Sequence, residues 1–326
     1  MGNRPQLTVL GSLNMDISVT VPRLPEPGAT VLGSAARFTP GGKGANQAVA
    51  AARLGAAVRL VGCVGGDDFG RQLLAALREE NVDAGQVRTV NGVPTGLAMI
   101  SVDPAGENLI TVAPGANHEV GAGEVAAAAS SPGDVLVICA EIPVPAIKAS
   151  LARASRTGAR CILNLAPALP EAAAIVAEGV DWLVVNETEA AAVLGRKVEG
   201  LQDAAEAAAG LLAAGARHAV VTAGAHGVAL APSTGPEGVP LTIEAFRVEA
   251  VDTVGAGDTF VGALAVALAA GVPPADAVRA AAAAAATAAT RPGAQAGMPR
   301  AADIRAATGV TWPVGQPFTH RAGRVR

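Results

Sequence analysis

Val135-Leu136-Val137-Ile138-Cys139-Ala140 is an unbroken apolar run, followed by a helical pattern from Pro145 to Arg156 and by a second run, Arg160-Cys161-Ile162-Leu163-Asn164-Leu165. Continuous apolarity marks a strand buried on both faces, and a strand, a helix and a strand at this spacing make a parallel pair with a crossover helix. The same alternation extends both ways: a helix from Val120 to Ala129 precedes, and a helix over Glu171 to Ala177 follows. Strand Trp182 to Val185, helices Glu187 to Leu194 and Leu201 to Ala214, and strand Ala219 to Thr222 continue it. The expected fold is α/β, a doubly wound, mainly parallel sheet with helices on both faces. Ligands of such sheets gather at the carboxyl ends of the strands, where Glu141, Asn164, Asn186 and Thr222 fall.

Toward the amino terminus, Leu7 to Leu10 reads as a buried strand ending at Gly11, with Ser12-Leu13-Asn14-Met15-Asp16 at its carboxyl end. From Ile17 to Phe38 a β-branched alternation, broken by Pro22, Pro25 and Pro27, suits exposed strands joined by a turn. Leu97 to Val102 and Asn108 to Val112, separated by Asp103-Pro104-Ala105-Gly106, read as a hairpin. The two groups together predict a small sheet lying as a lid over the polar strand ends. Between them, Pro40-Gly41-Gly42-Lys43-Gly44-Ala45-Asn46-Gln47-Ala48 opens a helix to about Leu54, and Val58 to Val64 with Asp68 to Glu80 adds a strand and a helix. The spacing of a P-loop is absent, but Lys43 and Asn46 share a face of the first helical turn and can both bond a polyhydroxy ligand. The expected organisation is one domain over 1–326, with lid strands inserted at about 15–40 and 95–114. After it, 308–326 reads as an irregular tail whose Arg321, Arg324 and Arg326 form a solvated end.

Asp252-Thr253-Val254-Gly255-Ala256-Gly257-Asp258-Thr259-Phe260 carries the chemistry. Glycines lead into an alanine-rich helix whose first NH groups and dipole make an anion site. Asp258 would repel an anion unless it had its own task, and the obvious task is that of general base beside a phosphoryl group. Taken alone, the stretch reads equally well as a glycine turn with a capping aspartate.

Composition narrows the classes. Of 326 residues 51% are hydrophobic but only 2% aromatic, with no tyrosine, so base stacking has little to work with. A net charge of −4 argues against nucleic-acid and acidic-membrane partners. Phe260 to Ala270, the most apolar segment, is too short to span a bilayer, and no secretory signal precedes Leu7. Cys63, Cys139 and Cys161 lie in apolar surroundings without metal-ligand spacing, which fits buried thiols in a reducing cytoplasm. His118, His218, His226 and His320 form no triad or metal set.

With Gly11-Ser12-Leu13-Asn14-Met15-Asp16, Gly41 to Ala48, Asn186-Glu187-Thr188-Glu189 and Asp252 to Asp258 in this order, the chain resembles the ribokinase family of sugar kinases over roughly Leu7 to Ala307. The resemblance implies phosphorylation of D-ribose on its 5-hydroxyl by ATP. Asp258 would be the base, and Gly255, Ala256 and Gly257 the anion hole. Asn14, Asp16, Gly42, Lys43, Asn46 and Glu141 match positions that bind sugar hydroxyls, a mixture of donors and acceptors that suits a polyol. Asn186 matches a position serving the triphosphate and Glu189 one serving the water shell of Mg²⁺, while Thr222, Gly224 and Gly227 match the nucleotide loop. Asp252 and Val254, with Ala288, Arg291, Gly293 and Gly297, match a K⁺ site, and the family resemblance points to a homodimer through the lid.

Two positions depart from the family pattern: Ala282 replaces a larger polar side chain beside adenine, and Gly297 replaces a serine at the cation loop. An alternative for Asp252 is a simple ion pair with Arg291. Alternative activities are kinases for deoxyribose, a hexose or a nucleoside, and a sugar-binding regulator without catalysis. A Rossmann dehydrogenase lacks its G-x-G-x-x-G after the first strand.

Overall fold

Apolar runs become the central strands and polar, β-branched segments become the lid in a computed structural model that describes residues 4–128, 131, 133–232 and 240–314. In chain order the strands are β1 Gln6–Leu10, β2 Asn14–Thr20, β3 Arg37–Gly41, β4 Ala57–Gly65, β5 Val82–Val90, β6 Gly96–Val102 and β7 Asn108–Ala113. They continue with β8 Val135–Cys139, β9 Arg160–Asn164, β10 Val180–Asn186, β11 Ala216–Thr222, β12 Gly227–Pro232 and β13 Leu241–Glu244. Nine of them form one sheet in the order β13-β12-β11-β10-β9-β8-β1-β4-β5, parallel from β11 to β5 and antiparallel at β12 and β13. The other four form the lid in the order β3-β2-β6-β7. This is the doubly wound sheet with a β lid that the alternation predicts.

Val9, Val137, Ile162, Val184 and Val220 face one helical layer, while Leu10, Ile138, Leu163, Leu183 and Val221 face the other. A central strand that alternates between two buried faces must be apolar throughout, which is why these strands lack a polar alternation. On the first face lie helices Lys43–Arg53, Ala256–Ala269 and Pro274–Ala289. Their small side chains let the axes approach closely. At Gly262 a Cβ would stand 2.7 Å from the Gln47 carbonyl oxygen, so glycine permits the contact that carries Asn46 and Gln47 to the start of the neighbouring helix.

The structure corrects several local expectations. The segment 21–36 contains no strand; the prolines remove ladder donors and the second lid strand begins only at Arg37. β5 has no counterpart in the sequence reading, because its mostly exposed sequence VDAGQVRTV offers no apolar period. β12 and β13 were likewise not foreseen. The helix expected to reach Ala129 is Ala122–Ala127, and Ala129 lies outside the described residues. A helix over Ala301–Thr308 precedes an irregular stretch in which Trp312 is buried, its indole NH donating to the Leu54 carbonyl at 3.0 Å. Arg321, Arg324 and Arg326 fall outside the described residues.

Candidate active site

Three residues, Gly11 to Leu13, separate β1 of the main sheet from β2 of the lid, so the polar residues just beyond them stand where the two sheets meet. Asn14 and Asp16 sit there, buried. Glu141 extends from the end of β8 and its Oε2 accepts from the Ser12 hydroxyl at 2.6 Å, from the Asn14 amide at 3.4 Å and from the Lys43 backbone NH at 3.4 Å. Gly42 precedes helix Lys43–Arg53 and directs that NH into the cluster. Burial, then the Glu141 and Asp258 carboxylates, push Asp16 up to about 7, with Lys43 pulling the other way. The Lys43 ammonium is opposed by its own burial, but the carboxylates of Asp258, Glu141 and Glu189 outweigh it and hold the amine above its ordinary value.

Asp258 lies in the first turn of helix Ala256–Ala269 and is buried. Its Oδ2 accepts from the Asn46 amide at 2.9 Å and its Oδ1 from the Gln47 amide at 3.1 Å. The turn into the helix is left-handed at Gly255, with φ 78°, and a Cβ there would stand 2.9 Å from Ala294 Cα. Of the three residues expected to supply the anion hole, Ala256 is committed elsewhere: its NH donates to the Thr253 carbonyl at 3.1 Å. Gly255 and Gly257 line a cavity of about 230 Å³ together with Lys43, Asn186, Glu189 and Asp258. Cation, amide donors and carboxylate therefore surround a single space.

Thr222 reaches this cavity from β11, whereas Gly224 and Gly227 lie in the following turn and do not line it. Asn186 caps helix Glu187–Leu194, and both Glu189 oxygens are occupied by it: Oε2 accepts the Asn186 NH at 2.8 Å and Oε1 its amide at 3.1 Å. Burial raises the Glu189 pKa against these bonds and Lys43. A carboxylate so occupied fits a hydrated Mg²⁺ held through water better than direct ligation.

Asp252 does not pair with Arg291. Arg291 bonds Asp303, at 3.1 Å, while Asp252 accepts from the backbone NH of Val254 at 3.0 Å and of Gly293 at 2.8 Å. At Gly297 a Cβ would meet the carbonyl oxygens of Arg291 at 3.1 Å and Ala288 at 3.2 Å, so two carbonyls converge on this glycine. These turn carbonyls, and a carboxylate tied to the same turn through Gly293 without a cationic side-chain partner among the described residues, are donor types suited to a monovalent cation.

Residues 4–301 match the pfkB family of carbohydrate kinases. The chain belongs to the pfkB carbohydrate kinase family. It is 37% identical to a ribokinase of Haemophilus influenzae over 91% of this chain and 96% of that one. An Arabidopsis thaliana ribokinase solved with ribose and ATP shares the fold at a TM-score of 0.81 and 30% identity, covering 93% of this chain and 98% of that chain. Phosphofructokinase-2 of Escherichia coli, solved with potassium, matches at 0.76 and 26% over 93% and 98% of the two chains.

In this pfkB kinase the structure adds polar residues that motif reading had not assigned. Asn117 is buried under the lid and bonds Leu13 and Asn14. Asn164 accepts from Gln47 at 2.9 Å, and Gln295 donates to Asn46 at 3.1 Å. Ser12 and Gln47 lie inside the glycine-bearing motifs and Asn164 at a strand end, so their type and place were a usable signal; Asn117 and Gln295 had none. Ala282 packs partly buried against the core from helix Pro274–Ala289.

Proposed function

We propose that this carbohydrate kinase transfers the γ-phosphoryl group of ATP to the 5-hydroxyl of D-ribose, giving D-ribose 5-phosphate and ADP. The observation that carries the reading is the position of Asp258, buried between the hydroxyl-binding cluster of Asn14, Asp16, Asn46 and Glu141 and the donor-lined cavity of Gly255 and Gly257. Its carboxylate takes the proton of the 5-hydroxyl as that oxygen bonds to the γ-phosphorus and the bond to the ADP oxygen breaks. Lys43, the free NH groups of the loop and the helix dipole offset the charge on the transferred group. Asn186, Thr222, Gly224 and Gly227 serve the nucleotide.

Mg²⁺, held through water by Glu189, supplies charge neutralisation for the triphosphate. Asp252 and the carbonyls of Val254, Ala288, Arg291, Gly293 and Gly297 would hold K⁺, which would supply order to the loop before the helix. The organisation is a single domain over 1–326 with the lid inserted in it. The lid's edge strand β7 is exposed along its whole length, with Leu109, Ile110 and Val112 in the open, which supports a homodimer through this sheet. Cys63, Cys139 and Cys161 are free and buried, in keeping with a cytoplasmic location; among the described residues no helix is long and apolar enough to cross a membrane.

The test is ADP release with ATP and Mg²⁺ across D-ribose, 2-deoxyribose, fructose and adenosine. D-Ribose is expected to give the highest kcat/KM, with the phosphate on O5 by phosphorus NMR. A higher kcat/KM for another acceptor would replace ribose in this reading.

A further inference from the structure

A chain of side-chain amides passes through the carboxylate of Asp258. From one side, the Gln295 amide donates to Asn46 Oδ1 at 3.1 Å and the Asn46 amide donates to Asp258 Oδ2 at 2.9 Å. From the other, Gln47 Nε2 donates both to Asp258 Oδ1 at 3.1 Å and to Asn164 Oδ1 at 2.9 Å. Both ends are fixed to backbone. Asn164 donates to the Val184 carbonyl on β10 at 3.3 Å, and the Gln295 carbonyl accepts from Arg53 at 2.5 Å. The same Arg53 nitrogen holds the Met298 carbonyl at 2.8 Å, and its guanidinium grips Glu80 through two bonds of 2.9 and 2.7 Å.

We propose that Gln47, Asn164 and Gln295 are positioning residues that hold the Asp258 carboxylate in one orientation toward the substrate hydroxyl. The proposal rests on the reading of Asp258 as the base. Amides are suited to this because they donate to a carboxylate yet neither take nor release the proton it must accept. One donor on each oxygen fixes rotation about the side chain and leaves the remaining lone pairs for the substrate hydroxyl.

Gln47 has a second mark of function. It is 1% exposed, and its Oε1 has no hydrogen-bond partner. A buried acceptor left unpaired is unfavourable, and a methionine of similar length would avoid it in a helix otherwise packed on the core. Reversing the amide would pair neither arm, since Oε1 would then face the oxygens of Asp258 and Asn164. The Gln295 arm links the base to the turn 291–298, whose Gly293 is tied to Asp252 at 2.8 Å. An ordered turn therefore reaches the carboxylate through two hydrogen bonds.

The experiment compares Gln47→Met, Gln47→Glu and Gln295→Ala with the parent by kcat, KM and ribose affinity by calorimetry. Gln47→Met is expected to lower kcat about tenfold to hundredfold while ribose affinity stays within about threefold. Gln47→Glu, which sets a second carboxylate against Asp258, is expected to lower kcat further than Gln47→Met. Gln295 is only half-buried and outside the core helices, so Gln295→Ala leaves folding intact; it is expected to lower kcat by a smaller factor with ribose affinity within about threefold of the parent. Parental kcat in Gln295→Ala or in a folded Gln47→Met, or a loss of ribose affinity as large as the loss of kcat, overturns the positioning role. Asp258→Asn separates the two readings: near-parental turnover in that variant removes the base itself and the proposal with it. Lost turnover there, with parental kcat in the amide variants, removes only the cradle.

Discussion

The Asn117 amide donates to Asn14 Oδ1 at 2.7 Å, while the same side chain brackets the Leu13 backbone, accepting its NH at 2.9 Å and donating to its carbonyl at 3.2 Å. Asn117 is 1% exposed, and it fixes the short crossing from the main sheet into the lid together with the amide that faces the sugar cluster. Truncation strands a buried NH and a buried carbonyl. Asn117→Ala is expected to cost about 2 kcal/mol of stability, read as a lowered thermal midpoint, and to weaken ribose about tenfold through misplaced Asn14. Calorimetry showing parental ribose affinity in this variant would detach Asn117 from the sugar site.

Asp16 gives a pH dependence whose sign follows from its raised pKa of about 7 against the ordinary 3.8. Between those values the folded chain holds a proton that the unfolded chain has released, so this group's contribution favours folding at low pH and is lost as pH rises through 7. Asp16→Asn removes that penalty. The sugar-free variant is expected to be more stable than the parent at pH 8 by about 2–4 kcal/mol, with the difference vanishing near pH 4. Sugar hydroxyls donate to the ionised form, so ribose affinity in the parent rises with pH up to about 7 and binding below it releases a proton. Binding heats that do not vary with buffer ionisation enthalpy at pH 6 would contradict this assignment.

Replacing Asp258 by asparagine keeps the shape but removes the proton acceptor. Turnover is expected to fall about 10²- to 10⁴-fold, with ribose binding within about threefold of the parent. Steady-state rates within a few-fold of the parent would take the base role away from Asp258.

These residues also mark how far the sequence could be read. The parallel strands declared themselves because burial on two faces forces continuous apolarity, as in Val135–Cys139. β5 did not, because an edge strand that is largely exposed needs no such pattern. Asp16, Lys43 and Asp258 were visible within glycine-bearing motifs, where local chain geometry and chemistry coincide. Sequence places the Ala256 NH in the first helical turn but does not encode the Thr253 carbonyl that accepts it in this structure. Asn117 and Gln295 act across 103 and 249 residues of chain, and no local pattern encodes a partner at that separation.

The lid predicts association. Phe38 and Met99 stand beside Ile17 in register, and Leu109 falls on the same face of the sheet, while Ile110 and Val112 project from the other face of β7. An unpaired edge with apolar residues on both faces favours a second copy of the lid. Light scattering is expected to give twice the chain mass at micromolar concentration, and Leu109→Lys with Ile110→Glu is expected to give monomers. A monomer mass for the parent with sugar present would count against this interface.

Potassium is the last expectation, and the Arg291 ion pair bears on it directly. Had Arg291 paired with Asp252, protein contacts alone would balance the Asp252 charge; with Arg291 on Asp303 at 3.1 Å, that carboxylate is left, among the described residues, to two backbone NH groups. A cation held by Asp252 and nearby carbonyls would tie the 252–257 loop to the 288–297 turn and orient the Gly255 and Gly257 donors without touching substrate. Initial rates are therefore expected to rise with KCl when choline chloride keeps ionic strength constant. Gly297→Ser is expected to lower the K⁺ midpoint, because a hydroxyl joins the carbonyls of Ala288 and Arg291. Its Cβ would stand 3.2 and 3.1 Å from them, so those carbonyls must yield by a few tenths of an ångström for the oxygen to help. A rate flat in K⁺ from a rigorously desalted preparation would leave the loop ordered by Asp252 and its two backbone bonds alone.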